Sequence, residues 1–463
     1  MFSKSEYGKH LEGLTDGQNV AFHMITEWLF NFYSLDIEKR KDKQVFVLSG
    51  YAGTGKSYLM GVIDKFLREH YQNETAVQAC AYTGKASTVL AEKNMNSTTL
   101  HHLLYIPMTK EVNGIKKVIW KRRGSLDPSI KLIIVDEASM MPSKLFDDLK
   151  LLKLPILAVG DGFQLPSIDV GTNLLDNPDY TLTEITRQAL DNSIIRLSML
   201  VRDGGEIPYG DYGDNVQVIS KRGLYSSDYI EIMKNYDQLL VGTNRSRLYY
   251  NTLYRQHLLA EHYDNNPLPC IGEKVIITQN NWDFEIDELG EYSLFNGLVG
   301  TVENIESTNM VEIDRMRLKI NFGKKEYITD WFIYDTGIFR ESLDNTIRNP
   351  YFENGELAIV DDKGNYLIKK DMSEYGRLTQ EEKIEYVDIM YNASPLGMMN
   401  QGMKINQVDF AYAISTHKFQ GSEADNVCVI DESYVFDKED TNYKKRWEYT
   451  AITRAKKFLL LIK

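Results

Sequence analysis

An α/β fold built on parallel sheets is what this 463-residue sequence predicts, and three observations predict it. Short apolar runs alternate with stretches of helical periodicity. A glycine-rich turn joins the first such run to the first long helix after it. The unusual polar residues fall directly after apolar runs, where a parallel sheet collects its ligand chemistry.

Composition narrows the class. Hydrophobic residues make up 43% and charged residues 26% of the chain, an ordinary balance for a globular protein. The length exceeds what one core takes and suggests about three domains. No apolar stretch reaches the ~18 residues of a membrane span. The N-terminal MFSKSEYGKH lacks the apolar centre of a signal peptide, so a cytoplasmic protein is expected. Cys80, Cys270 and Cys428 lie far apart on apolar stretches and read as reduced core thiols. Neither they nor the histidines show a metal spacing. The net charge of −13 argues mildly against a chain that wraps nucleic acid through a basic surface. Lys116, Lys117, Lys121, Arg122 and Arg123 nevertheless form one local basic cluster, and screening over about 10 Å makes local charge matter more than the sum.

In chain order, Leu11–Gln18 leads into a helical pattern from Asn19 to about Tyr33. Thr15 can cap this helix, with Gln18 three residues on as in a capping box. A second reading of Gln18 stays open, because an amide just upstream of the glycine-rich turn can read an adenine edge. Gln44–Ser49 reads as a buried strand, and a helical pattern follows to about His70. Ala76–Ala81 is the next strand, and Tyr82–Ser87 opens another helix. Lys131–Val135 is a third strand, Ser143–Leu152 a helix and Pro155–Val159 a fourth strand. Between Thr98 and Pro128 the alternation breaks. There Tyr105–Val112 and Ile115–Arg123 flank Asn113-Gly114, the pair that suits a type I′ hairpin turn. Leu182–Gln188 reads as the start of a helical stretch, Gln238–Gly242 as a strand, and Asn244 as the cap of a helix reaching about Glu261. From about Pro267 to Asn400 short alternating strands (Glu273–Thr278, Asn296–Val302, Met316–Phe322) suggest an inserted antiparallel barrel or sandwich. The parallel pattern returns with Val408–Ile414, Asn426–Ile430 and Phe458–Ile462.

The turn itself is Gly50-Tyr51-Ala52-Gly53-Thr54-Gly55-Lys56-Ser57. Strand, G-x-x-x-x-G-K-[ST] and helix together make a phosphate-binding loop. Its backbone N–H groups and the helix N-terminus face phosphates, with Gly53, Thr54 and Gly55 shaping the nest. Lys56 supplies charge, and the Ser57 hydroxyl is a ligand for Mg²⁺. A nucleoside triphosphate, ATP, is the ligand these residues imply. Asp136-Glu137 follows an apolar strand downstream, so Asp136 suits the metal and Glu137 the attacking water. Arg454, far along the chain, and Arg187 are candidates to reach a γ-phosphate across a cleft. Groups of that kind are worth about 10³–10⁵ in rate, whereas either arginine as a surface ion pair would contribute only about 0–1 kcal/mol.

Taken in order, the phosphate loop, Val135–Ser139 (VDEAS), Gly160–Ser167 (GDGFQLPS), Leu182–Gln188 (LTEITRQ), Ile414–Glu423 (ISTHKFQGSE) and Tyr449–Ala455 (YTAITRA) resemble the motifs of superfamily 1 helicases, most closely the RecD-like, 5′→3′ branch. That resemblance implies two RecA-like parallel-sheet lobes. The first would take 1–104 and 128–180, with an inserted β-hairpin at 105–127. The second would take 181–266 and 401–463, with an SH3-like β subdomain at 267–400. It also implies roles. Gln18 would read adenine, and Gln164 would sense the γ-phosphate. Arg187 and Arg454 would be the finger arginines, and Gly421 and Glu423 would approach nucleotide. Thr83, His101, Thr416 and His417 would grip DNA. Ala81-Tyr82-Thr83 departs from the Ala-Pro-Thr that the family usually shows at this place. The hairpin would be a duplex-splitting pin with Ile115, Val118 or Trp120 as its wedge; read from the residues alone, it could equally be a decorative loop. The implied partners are single-stranded DNA, single-strand/duplex junctions, and replication or recombination proteins. A translocase that strips proteins without unwinding, an RNA-directed motor, and an ATP-gated binding scaffold share most of these features.

Overall fold

The computed structural model describes residues 4–112, 115–166, 174–259, 269–278, 297–308, 315–322, 326–328, 332–334, 351–353, 356–360, 366–371, 406–436 and 441–463. The chain divides into two compact units, one of Met1–Ile106, Trp120–Arg247 and Ile414–Lys463, the other of Pro107–Ile119 and Leu248–Ala413.

Helix α1 (Lys4–Leu11) leads to α2 (Asp16–Ser34), which is capped by Thr15. Strand β1 (Val45–Gly50) passes through the loop into α3 (Lys56–Tyr71). Then come β2 (Val77–Ala81), α4 (Gly84–Glu92), β3 (Ser97–Thr99) and α5 (Leu100–Leu104). The hairpin strands β4 (Tyr105–Val112) and β5 (Ile115–Arg122) pair with each other. The lobe is completed by β6 (Leu132–Asp136), α6 (Ser143–Lys150), β7 (Ile156–Gly160) and β8 (Tyr180–Leu182). The first sheet runs β3-β2-β6-β7-β1-β8, all parallel.

Residue alternation explains why these strands read as unbroken apolar runs. Phe46, Leu48, Val77, Ala79, Ala81, Leu132, Ile134, Leu157 and Val159 face one core, against α2 and α3. Val47, Cys80, Ile133, Val135, Ile156 and Ala158 face the other, with Leu145 and Leu149 of α6. A parallel sheet covered on both faces needs apolar residues at every position.

After β8 the chain forms α7 (Arg187–Leu190), α8 (Ser193–Arg202), β9 (Gly210–Tyr212), β10 (Val216–Ile219), α9 (Ser226–Asn235), β11 (Gln238–Val241) and α10 (Asn244–Leu258). In the second unit, β12 (Lys274–Ile277), β13 (Val299–Thr308), β14 (Arg315–Asn321), β15 (Glu326–Ile328) and β16 (Phe332–Tyr334) join a later strand, Asn406–Phe410. A separate small sheet holds β17 (Tyr351–Glu353), β18 (Glu356–Val360) and β19 (Tyr366–Asp371), and β20 spans Asn406–Phe410. The pairings β13–β12, β12–β20, β20–β16, β16–β14 and β14–β13 close a ring. Val275, Ile277, Val302, Leu318, Ile320, Val408 and Phe410 fill it.

The chain returns to the first unit through β21 (Ala413–Ser415), β22 (Ala424–Ile430), the helix Thr441–Ile452 and β23 (Ala455–Ile462). The second sheet is ordered β21-β11-β22-β23-β10-β9. β11, β22, β23 and β10 run parallel, while β9 is antiparallel to β10.

Three expectations are corrected. Leu182–Gln188 does not start as a helix: Tyr180–Leu182 is the sixth strand of the first sheet, paired with Leu48–Gly50, and helix begins only at Arg187. The first sheet therefore extends past residue 180. The cap of α10 is Thr243, whose Oγ1 accepts the Ser246 N–H at 3.1 Å. Val408–Ile414 is not one strand, because Phe410 ends β20 in the ring and Ala413 begins β21 in the second sheet. Asn251 satisfies the break by donating to Ala413 O (2.9 Å) and accepting the Ala413 N–H (2.8 Å).

Within the second unit, Arg255 grips Glu273 bidentately (2.6 and 3.0 Å) beneath the Phe410 ring, and Glu273 also accepts the Cys270 N–H. Both partners are buried, and removing one half of such a pair strands a charge. Glu273→Ala should lower the stability of this unit by about 3–5 kcal/mol, read from the urea midpoint.

Candidate active site

The phosphate loop hangs between the end of β1 and the start of α3. Gly55 is the helix N-cap, at φ +75°, and no side chain caps the helix. The first-turn N–H groups are thus left for an anion. A Cβ at Gly55 would lie 2.3 Å from Gln18 Nε2, so that position demands glycine on both counts. Thr54 Oγ1 donates to Tyr51 O (2.8 Å), and the Thr54 side chain is buried. Lys56 Nζ folds back on its own loop, donating to Gly50 O (2.6 Å) and Tyr51 O (3.0 Å). Ser57 follows in the first turn of α3, half-buried. The Thr186 N–H donates to Gly53 O at 3.0 Å, which docks α7 on the loop with an exposed Arg187 at its first position.

Gln18 unites the two readings the sequence left open. Its Oε1 accepts the Thr15 N–H (3.0 Å), and its backbone N–H donates to Thr15 Oγ1 (3.3 Å), completing the capping box. Its Nε2 donates to Thr54 O at 3.0 Å. Both ends of the amide are engaged, so reading an adenine would require it to release one of these partners.

Asp136 and Glu137 close β6. The Glu137 N–H donates to Asp136 Oδ1 at 2.9 Å, and Glu137 sits in the left-handed region at φ +51°. A non-glycine residue held there costs about 1–3 kcal/mol, a strain found at sites where geometry is imposed. Burial pushes the Glu137 carboxyl up to about 7, with Asp136 adding to the rise and Arg454 and Lys56 opposing it. Burial likewise raises Asp136, against the Glu137 N–H and the charges of Lys56 and Lys93. The exposed Glu423 adds a small further rise. One carboxylate therefore feels a lysine from the first lobe and an arginine from the second.

Arg454 is buried just after the Thr441–Ile452 helix. Its guanidinium donates to Thr450 O (3.0 Å), Ser422 O (3.3 Å) and Thr453 Oγ1 (3.2 Å). Other hydrogen bonds do join the lobes. The Leu165 N–H donates to Thr450 Oγ1 (2.9 Å), and Gln420 Nε2 donates to Leu165 O (2.8 Å). The Ala52 N–H donates to the Tyr449 hydroxyl (2.8 Å), which donates in turn to Asp161 Oδ2 (2.6 Å). Gln164, buried beside Leu165, donates its N–H to Asp161 O.

A hard oxygen set fits Mg²⁺ here. Ser57 lies in the first turn of α3, Asp136 ends β6 one strand away from β1 across β7, and burial raises both carboxyls of the Asp136–Glu137 pair. No group of three or more His, Cys, Asp or Glu that could hold a metal occurs among the described residues.

Residues 39–223 match the AAA domain family, and residues 410–462 the UvrD-like helicase C-terminal domain. The chain is 35% identical over 190 residues to the ATP-dependent RecD2 DNA helicase of Deinococcus radiodurans, covering 39% of this chain and 25% of that protein. It is 23% identical over 416 residues to the ATP-dependent DNA helicase Pif1 of Campylobacter jejuni, covering 84% of this chain and 83% of that one. The chain is similar to superfamily 1 helicases of the RecD-like and Pif1 branch. It spans 36%, 25% and 19% of the length of the first three curated relatives it matches. A crystal structure of Pif1 helicase from Candida albicans aligns over 97% of this chain and 94% of that one, at 16% identity and a TM-score of 0.45.

The positions that the helicase resemblance assigns to DNA are spread unevenly. Thr83 caps α4 through the Ala86 N–H (3.2 Å), and a Cβ at Gly421 (φ +67°) would lie 3.2 Å from its Oγ1. Glycine at 421 thus lets the second lobe approach the first. His101 lies near the rings of Tyr82 and Tyr105, and burial lowers its pKa. His417 shares a 2.8 Å hydrogen bond with the Tyr443 hydroxyl. Thr416 is a correction: it is 0% exposed, and its N–H and hydroxyl both donate to Val241 O, so in this conformation it does not reach a strand. Trp120 is another. Its ring meets His102 edge-on, where Tyr105 and Arg122 at the foot of the hairpin share Asp148, so it is no wedge at the tip. Asn113, Gly114 and the side chains of Ile115 and Val118 lie outside the described residues.

Sequence reasoning missed Tyr449, Thr450, Asp161 and Gln420 as cross-lobe contacts, although all four stand inside quoted motifs. Gly55→Ala should destabilise the fold by about 1–3 kcal/mol. Adding Gln18→Ala should recover part of that loss by removing the clash, and paired denaturation curves measure both effects.

Proposed function

We propose that the chain is an ATP-driven motor on single-stranded DNA that moves 5′→3′ and unwinds duplexes ahead of it. The observation that carries this reading is the hydrogen-bonded seam between the lobes at Leu165, Thr450 and Gln420, across which the charges of Lys56 and Arg454 both act on Glu137. Lys56 exchanges the Gly50 and Tyr51 carbonyls for β- and γ-phosphate oxygens. Ser57 and Asp136 would hold Mg²⁺, which when bound would neutralise charge on those oxygens. Glu137 orients and deprotonates the attacking water. Arg454 and Arg187 meet charge growing on the γ-phosphate, and Gln164 reports its presence to the second lobe. Loss of the γ-phosphate removes the partner that holds the lobes shut, an order-by-phosphate switch used by other NTPases.

Thr83 and His101 on one lobe and His417 on the other grip the strand alternately, through phosphate contacts and stacking rather than base reading. The hairpin acts as the pin, its foot fixed by the Asp148 contacts of Tyr105 and Arg122. Its partners are single-stranded DNA, single-strand/duplex junctions and replication or recombination proteins.

Steady-state ATP turnover with and without single-stranded DNA tests this reading. Wild type should be stimulated by DNA. Lys56→Ala should lose turnover while still retaining an oligonucleotide in a gel shift. Arg454→Ala should bind nucleotide normally but turn over about 10³-fold or more slowly; normal turnover with weakened binding would reverse its role. Duplexes with a 5′ tail should be unwound and those with a 3′ tail should not, and the opposite polarity would refute the direction. Shortening the hairpin should abolish strand separation while sparing DNA-stimulated turnover.

A further inference from the structure

One hydroxyl joins both walls of the seam, and no role assigned above accounts for it. Tyr449 lies on the Thr441–Ile452 helix, five positions before Arg454, and is 1% exposed. Its oxygen accepts the Ala52 N–H of the phosphate loop at 2.8 Å and donates to Asp161 Oδ2 at 2.6 Å. Its ring meets Phe163 edge-on at 5.2 Å. Asp161 is itself 0% exposed, and its other oxygen accepts the Phe163 N–H. Next to this contact a second cross-lobe tie reaches the same part of the loop: the Arg202 guanidinium of α8 lies 4.2 Å from the centre of the Tyr51 ring. Burial and the Asp161 carboxylate hold the Tyr449 phenol firmly protonated, so it can donate to Asp161 and accept from Ala52 at once.

We propose that Tyr449 is a positioning residue that sets the register between the phosphate loop and Arg454. The inference rests on the nucleotide site proposed above and names a device within it. Three otherwise separate pieces meet at this oxygen: the loop that cradles phosphates, the strand end that leads to Gln164, and the helix that delivers the arginine. A displacement of the loop at Ala52 is passed through the phenol to a rigid helix turn and so to Arg454. The same phenol holds Asp161, which orders the Gly160–Leu165 turn. Phosphate binding needs the loop alone, whereas hydrolysis needs the arginine aligned with it. Tyr449 therefore governs turnover more than binding.

The test is Tyr449→Phe, which keeps the ring and removes only the oxygen. It leaves a half-buried N–H and a buried carboxylate each short of a partner, a loss worth about tenfold or more in rate if it falls on the transition state. We expect kcat for ATP hydrolysis to fall about tenfold, with KM and fluorescent-nucleotide affinity changed less than about threefold. Asp161→Asn, whose single amide oxygen must serve two donors, should lose part of the turnover, while Asp161→Ala should fall at least to the Tyr449→Phe level. The double variant Tyr449→Phe/Asp161→Ala should lose less than the product of the two single losses, because both remove the shared phenol–carboxylate contact. Equal loss of affinity and turnover, or fully additive effects in the double variant, would overturn the positioning role. Unchanged kcat in a folded Tyr449→Phe protein would overturn it outright. If wild type itself neither binds nor hydrolyses ATP, it is the nucleotide site that fails, an outcome visible before any variant is made.

Discussion

Two carboxyl groups on consecutive residues, Asp136 and Glu137, stand at the end of one buried strand. Like charges that close cannot both stay ionised in a low-dielectric seam unless cations face them. The first lobe supplies Lys56 and the second supplies Arg454, and both lower a Glu137 carboxyl that burial and Asp136 raise. Burial outweighs them, and the Glu137 carboxyl stays above its ordinary value on a backbone held in the left-handed region.

The cross-lobe hydrogen bonds do a different job. Those made by Ala52, Asp161, Leu165 and Gln420 are individually small, but they are directional and span hundreds of residues of chain. Coulomb attraction says that the lobes come together; it says little about register. Directional bonds fix which turn of the Thr441–Ile452 helix faces which residue of the phosphate loop. Close approach also has a steric condition, met where Gly421 leaves room beside Thr83.

Much of this was legible in the sequence, for identifiable reasons. Strands buried on both faces are continuous apolar runs, so β1, β2, β6, β7, β22 and β23 declared themselves. The phosphate loop carries its geometry in its glycines. What escaped was decided by tertiary contact. Tyr180–Leu182 is too short to show a period, and becomes a strand only because Leu48–Gly50 offers it an edge. Val408–Ile414 reads as one run because nothing local reveals that Asn251 breaks the ladder at Ala413. Thr416 looks like an accessible polar residue in a motif, yet the Val241 carbonyl takes both its N–H and its hydroxyl. Tyr449 reads as one more aromatic in an apolar helix, since the two groups its oxygen joins are 397 and 288 residues away.

The two facing cations differ in how they are held, and the difference decides which one moves. Arg454 is planar, buried, and bound to a carbonyl on its own helix, a second carbonyl at Ser422 and a hydroxyl. A guanidinium fork fixed on three sides is pre-organised, so little of its freedom remains to be lost when charge develops before it. Lys56 is a flexible point charge resting on two neutral carbonyls of the loop it belongs to. On the proposed function, an arriving triphosphate would offer it anionic oxygens in place of those neutral carbonyls, adding a charge–charge attraction to each bond. On that proposal the lysine is the partner that would exchange contacts, and the arginine the fixed post against which the exchange is made, so that its register with the loop would matter more than its reach.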